Sequence, residues 1–80
     1  MISFKVGDIV FGERFGGRGR VLCVIEEWDH RGELVGVEFE NFIHGHSGSN
    51  YGYDGKPGHC WNFCGENLRD IRKAYSWRKI

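Results

Sequence analysis

Five side chains able to ligate a metal fall between positions 44 and 64: His44, His46, His59, Cys60 and Cys64. Zinc suits such a set, because it takes imidazole nitrogen and thiolate sulfur in four-coordinate geometry. A metal would also help a chain this short, whose apolar volume is small. His44-x-His46 would turn both rings to one side of an extended segment. Against this, no spacing among the five matches a paired zinc motif. The preferred expectation is no cofactor, with the cysteines as small buried hydrophobes and the loop histidines bonded to backbone. Zinc on His44, His46, Cys60 and Cys64 stands as the alternative.

The pair His59-Cys60 raises nucleophilic chemistry, since imidazole can activate a thiol. Adjacent residues of a strand point to opposite faces, however, so His59 is badly placed as a base for Cys60. No other base or Ser/His/Asp arrangement accompanies them, and a non-enzymatic protein is expected.

Two further groups suit binding. The run Phe15-Gly16-Gly17-Arg18-Gly19-Arg20, with Arg14 before it, joins exposed backbone N–H groups to guanidinium forks that grip phosphate. It lacks the G-K-[ST] of a P-loop, and solvated arginines on a glycine turn are the plainer reading. Asn50-Tyr51-Gly52-Tyr53, with Trp61, offers aromatic area with polar tips for a protein surface, a nucleobase or a purine ring. The competing role is core closure by Trp61 and one tyrosine; Trp28 and Trp77 are also candidates to cap the core. The expected partner-binding residues are Arg14, Arg18, Arg20, His44, His46, Tyr51, Tyr53, His59 and Trp61.

The elements that must position these residues are short strands. Ile9-Val10-Phe11 after Gly7-Asp8 reads as a first strand. The segment 11–20 holds four glycines and reads as a loop. Residues 21–28 (VLCVIEEW) form the longest apolar run, Asp29 to Gly32 has turn chemistry, and 33–40 alternates with period two. That alternation predicts a hairpin burying Val35, Val37 and Phe39, with Leu34, Gly36 and Glu38 on the other side. Residues 44–58 make a long irregular loop with five glycines, two histidines and two tyrosines. A fourth strand is expected at 59–63, a 3₁₀-like turn at Cys64–Leu68 and a fifth strand at Leu68–Ile71. The tail 72–80 fits a helical turn or a strand extension. Five short strands in one 80-residue domain predict an all-β fold, a small SH3-like barrel with one long Gly/His/Tyr-rich loop. The core spans about 5–71.

Composition narrows the function classes. Net charge is zero with pI near 6.9, unlike the strongly basic domains that bind nucleic acid. The charges are segregated: Glu26, Glu27, Asp29, Glu33, Glu38 and Glu40 face only Arg31 in 26–40, while Arg69, Arg72, Lys73, Arg78 and Lys79 face only Asp70 in 69–80. Such runs are solvated faces or two contact surfaces. Three cysteines, the opening MISFKVGD without an apolar leader, and no run near ~18 apolar residues predict a soluble cytoplasmic protein with reduced thiols and no membrane contact.

The order of motifs is Gly7-Asp8-Ile9-Val10, Gly19-Arg20-Val21-Leu22, Val35-Gly36-Val37-Glu38-Phe39, Gly45-His46, Gly58-His59-Cys60-Trp61 and Asn67-Leu68. It resembles small phage- and prophage-encoded proteins that are similar in layout to KOW, Tudor and related SH3-like modules. The resemblance covers roughly residues 5–71 and rests most on Gly45-His46 with Gly58-His59-Cys60-Trp61. It implies the fold and a viral or mobile-element origin, hence host cytoplasm, and no settled activity. The function expected is a binding module, a phage accessory protein that engages or inhibits a host macromolecule, in one form a defence nuclease mimicked by the acidic hairpin. The alternatives are a nucleotide-sequestering protein, its pocket completed by a homo-oligomer, and a nucleic-acid-binding domain using the basic tail with Tyr75 and Trp77.

Overall fold

The computed structural model describes residues 4–14 and 16–74; Phe15, Tyr75 and Trp77, and with them the form of the tail beyond Ala74, lie outside the described residues. Five strands follow in chain order: β1 (Ile9–Gly12), β2 (Arg18–Asp29), β3 (Gly32–Phe39), β4 (Cys60–Cys64) and β5 (Ile71–Lys73). Two 3₁₀ turns, Ser49–Tyr51 and Gly65–Asp70, punctuate them. All pairings are antiparallel, in the order β4-β3-β2-β1-β5. The all-β class and the strand number agree with the sequence reading. Closure into a barrel does not follow: β4 and β5 are the two edges, and no ladder joins them among the described residues. The second 3₁₀ turn takes Gly65–Asp70 and leaves β5 three residues, which pair with β1. The radius of gyration, 11.9 Å, equals the ~12 Å expected of a compact 80-residue chain, so the open sheet is still well packed.

Alternation decides the inner face. Val10, Val21, Val35, Val37, Phe39, Phe63 and Ile71 bury one contiguous cluster with Phe4, and the Phe39 and Phe63 rings meet edge to face at 6.1 Å. Val35, Val37 and Phe39 lie where their period of two placed them. The hairpin turn is also as read: the Arg31 amide donates to Asp29 Oδ1 at 2.8 Å, and Gly32 takes φ +100°.

Two strand starts moved by three residues. β2 begins at Arg18, inside the segment read as a glycine loop. Gly19 is there because the strand passes closely over β3: a Cβ on it would stand 2.8 Å from Val37 Cγ1. The fifth strand starts at Ile71, because Leu68 belongs to the 3₁₀ turn, its carbonyl accepting from the Ile71 amide.

The outer face departs most from expectation. Leu34 and Gly36 are buried, and Cys60 is fully so; the 44–58 segment folds back over Gly36 and Cys60 as a second layer, with Tyr53 on the first and Gly55 on the second. No helix among the described residues is long and apolar enough to cross a membrane.

Candidate partner-binding surface

The covering segment is tied down at its base by backbone. His46 and Cys60 exchange amide–carbonyl bonds of 2.9 and 3.0 Å, and the amides of Ile43 and Gly45 both donate to the Gly58 carbonyl. Glu38, from the outer face of β3, accepts the Lys56 amide at 2.7 Å. Left-handed glycines, Gly48 (φ +85°) and Gly52 (φ +89°), flank the first 3₁₀ turn and fold Ser49–Tyr51 into a tight knob. The Gly48 carbonyl accepts from the amides of Tyr51 and Tyr53.

Tyr53 pins this layer to the sheet. Its ring lies flat over Gly36, where a Cβ would approach within 2.6 Å of the ring. Its hydroxyl donates to Asn62 Oδ1 on β4. Burial, reinforced by the neighbouring Cys60, Cys23 and Tyr51, pushes its pKa far above the phenol range, so the hydroxyl stays protonated and able to donate.

Around this pin the aromatic side chains gather. His46 lies 5.4 Å from Tyr51, 6.4 Å from Tyr53 and 5.8 Å from Trp61, stacked on the last. Trp28, from the far end of β2, meets Tyr51 edge to face at 6.1 Å. Trp28 is 42% exposed, Tyr51 36% and Trp61 43%, so three large rings, linked in a chain through His46, reach solvent. His46 Nδ1 accepts the Gly48 amide at 2.9 Å, which puts its proton on Nε2, and burial lowers its pKa. The imidazole is therefore neutral in this cluster.

The binding residues expected from sequence divide into those brought together and those dispersed. His46, Tyr51, Tyr53 and Trp61 converge, although Tyr53 is a buried pin and offers little contact area. Trp28, read as a cap on the core, instead joins the exposed surface. Its pairing with Tyr51 spans 23 residues of sequence and left no local signal. His59 is buried, with Nδ1 2.9 Å from the Phe39 carbonyl and the Phe42 ring at 5.7 Å. His44 is exposed at φ 59°, its ring against Phe42 at 4.6 Å.

Arg14, Arg18 and Arg20 form no phosphate cradle. Arg14 reaches Asp70 at 3.8 Å, Arg18 reaches Glu40 at 3.8 Å, and Arg20 stands opposite Glu38 in the β2–β3 register. The cleft of about 300 Å³ beside them carries both acids with both strand arginines, a poor site for an anion.

Among the described residues, no three His, Cys, Asp or Glu side chains gather as a metal-ligand group. His46 Nδ1 is engaged by Gly48, His59 Nδ1 lies against the Phe39 carbonyl, and the Cys60 thiol faces the Lys56 carbonyl at 3.8 Å. Burial first, then the nearby Glu38, pushes the Cys60 thiol up, away from the thiolate. His59 precedes β4, and its ring and the Cys60 thiol are engaged by different carbonyls, those of Phe39 and Lys56.

Two of the six acids in the 26–40 run form ion pairs among the described residues: Asp29 holds Arg31 at 2.7 Å and Glu40 faces Arg18. Glu38 is spent on the loop, and Glu33 Oε1 is buried with no partner among the described residues. Glu26 and Glu27 remain exposed, and neither forms an ion pair among the described residues. In the basic C-terminal stretch Arg72 pairs with Glu13 and Lys73 with Asp8.

Comparison of the chain with protein-family models, with curated proteins and with solved structures finds no match.

Proposed function

We propose that the chain is a non-enzymatic binding module that engages a partner protein through the aromatic surface of Trp28, Tyr51 and Trp61. The observation that carries this reading is the exposure of three large rings around one loop, with a buried tyrosine beneath holding that loop to the sheet. Exposed tryptophan and tyrosine on a rigid support are what protein interfaces use as anchors, because each buries much area at little cost in side-chain entropy. Arg14 and Arg18 are paired with acids, and the acidic run is divided between ion pairs, the loop and a buried position, which favours the aromatic surface over a phosphate site or a nucleic-acid-like array. The proposal takes the five-stranded sheet to have an SH3-like layout. The strand order, and a 3₁₀ turn leading into a short last strand that pairs with the first, support that layout. Resemblance to phage-encoded chains makes the partner a host macromolecule in the cytoplasm.

Selection of peptides from a random display library against the immobilised protein tests the reading. Selected peptides should bind the wild type, and Tyr51→Ala and Trp61→Ala should each weaken them by about thirtyfold, corresponding to the ~2 kcal/mol of an interface anchor. Peptides that bind both variants as tightly as the wild type would place the interface elsewhere.

A further inference from the structure

The charge around the aromatic surface specifies what part of a partner it receives. Trp28 and Tyr51 form an edge-to-face corner, both well exposed, and among the described residues no lysine or arginine stands over either ring. The protein uses such stacking elsewhere: Arg72 covers the Phe11 ring at 5.2 Å and Lys73 the Phe4 ring at 5.7 Å. The faces of the Trp28–Tyr51 corner therefore carry negative quadrupole potential without an internal cation.

The surroundings add to that potential. Glu26 and Glu27 immediately precede Trp28 on β2 and are the two members of the acidic run left exposed and without an ion pair. On the other side of Tyr51 lies a cleft of about 190 Å³ lined by His46, Ser47, Gly48, Ser49, Asn50 and Tyr51. It holds hydroxyl and amide acceptors and no lysine or arginine. His46, the one base in it, already receives the Gly48 amide. The serine hydroxyls and the Asn50 side-chain carbonyl can accept from a ligand rich in N–H donors, and no lysine or arginine of the cleft opposes a positive charge.

We infer that the Trp28–Tyr51 corner, with Glu26 and Glu27 beside it, is the receptor for a lysine or arginine side chain of the partner protein. The inference rests on the binding role proposed above for this surface. The cation stacks on the exposed rings, is drawn in by the two glutamates, and donates into the acceptor-lined cleft. Desolvation of the rings on docking strengthens the stacking, and the unpaired glutamates lose their mutual repulsion.

Titration of the ¹⁵N-labelled protein with short glycine-spaced peptides tests this, one peptide series carrying arginine, one lysine, one glutamate and one leucine, beside a thymidine oligonucleotide. Arginine and lysine peptides should shift the Trp28 indole N–H resonance in a saturable way, and raised salt should weaken them. Trp28→Ala should reduce their affinity about three- to thirtyfold, and Glu26→Gln with Glu27→Gln about fivefold. The glutamate double variant is a surface change that leaves the fold intact, so its result does not depend on the tolerance of position 28. Equal binding of the glutamate peptide or the oligonucleotide, or cationic binding unaffected by the glutamate variant, would overturn the inference. Saturable binding of the leucine peptide alone, lost in Tyr51→Ala, would overturn it while leaving the protein-binding role in place. Absence of any shift at Trp28, Tyr51 and Trp61 with every ligand would remove both.

Discussion

Tyr53 shows how much one side chain can settle. Its ring fills the space above Gly36, and its hydroxyl is the donor for Asn62 Oδ1, while Asn62 Nδ2 has no partner of its own. Tyr53→Phe keeps the ring and removes the donor, leaving a half-buried carbonyl oxygen unsatisfied. The expected cost is about 1–2 kcal/mol in urea unfolding with an unchanged m-value; a loss below about 0.3 kcal/mol would show that water replaces the hydroxyl freely. The spacing of Tyr51 and Tyr53 around Gly52 was visible in sequence, but nothing in it says which of the two is buried. That is decided by Gly36, seventeen positions earlier, whose missing side chain makes room for one ring only. Trp28 is the converse case: a tryptophan at the end of an apolar run suits a core, and only the fold of a distant loop brings Tyr51 beside it.

At the scale of elements, the long loop behaves as a second layer rather than a connection. Its two ends are bonded together through His46, Gly58 and Cys60, Glu38 holds Lys56, and Cys60 and Gly36 are buried beneath it. The loop therefore depends on the outer face of β3 being flat at one point. Gly36→Ala would place a methyl 2.6 Å from the Tyr53 ring. The ring and its loop must then lift, at about 1–3 kcal/mol, while the β2–β3 and β3–β4 ladders persist. Hydrogen exchange should show faster exchange at the amides of Gly55, Lys56 and Cys60 and unchanged protection at Val35 and Val37. Equal loss of protection in both groups would mean that loop and sheet unfold as one unit. The same variant should release Tyr51 from its place beside Trp28, so it also weakens any ligand of that surface.

For the molecule as a whole, the pH dependence of stability follows from groups under the loop. Burial lowers the His46 pKa from its ordinary 6.5, so below that value the unfolded chain binds the proton more tightly than the folded protein. Stability is then fully present above about pH 6.5 and declines as pH falls through the window beneath it. Protonation also removes the lone pair that accepts the Gly48 amide. At the alkaline end the sign reverses. Burial raises Cys23 and Cys60 above their ordinary 9.0, and Tyr53 above its ordinary 10.0, so the unfolded chain ionises first and stability falls as pH rises past those values. A plateau between about pH 6.5 and 9 is expected in urea midpoints, and His46→Gln should flatten its acid limb. An acid limb unchanged in that variant would assign the loss to carboxylates instead.

By itself the sequence determined the class of fold. The period of two in Leu34–Phe39, the turn residues at Asp29–Gly32 and the density of glycine leave no room for long helices and force a meander of short antiparallel strands. It also marked His46, Tyr51 and Trp61 as candidates, because aromatic side chains in a glycine-rich loop have no local structural use. The tertiary structure alone decided three things. It left β4 and β5 as the two edges of an open sheet, with no ladder between them among the described residues. It turned the loop into a cover for the outer face, because burying Gly36 and Cys60 and bonding Lys56 to Glu38 outweighs leaving the loop in solvent. And it separated charged and metal-ligating residues that lie close in sequence: Arg14 reaches Asp70, Arg18 faces Glu40, and His59 Nδ1 lies against the Phe39 carbonyl. Local pattern fixes periodicity and turns; proximity between distant side chains is a property of packing, and packing assembled the Trp28, Tyr51 and Trp61 surface.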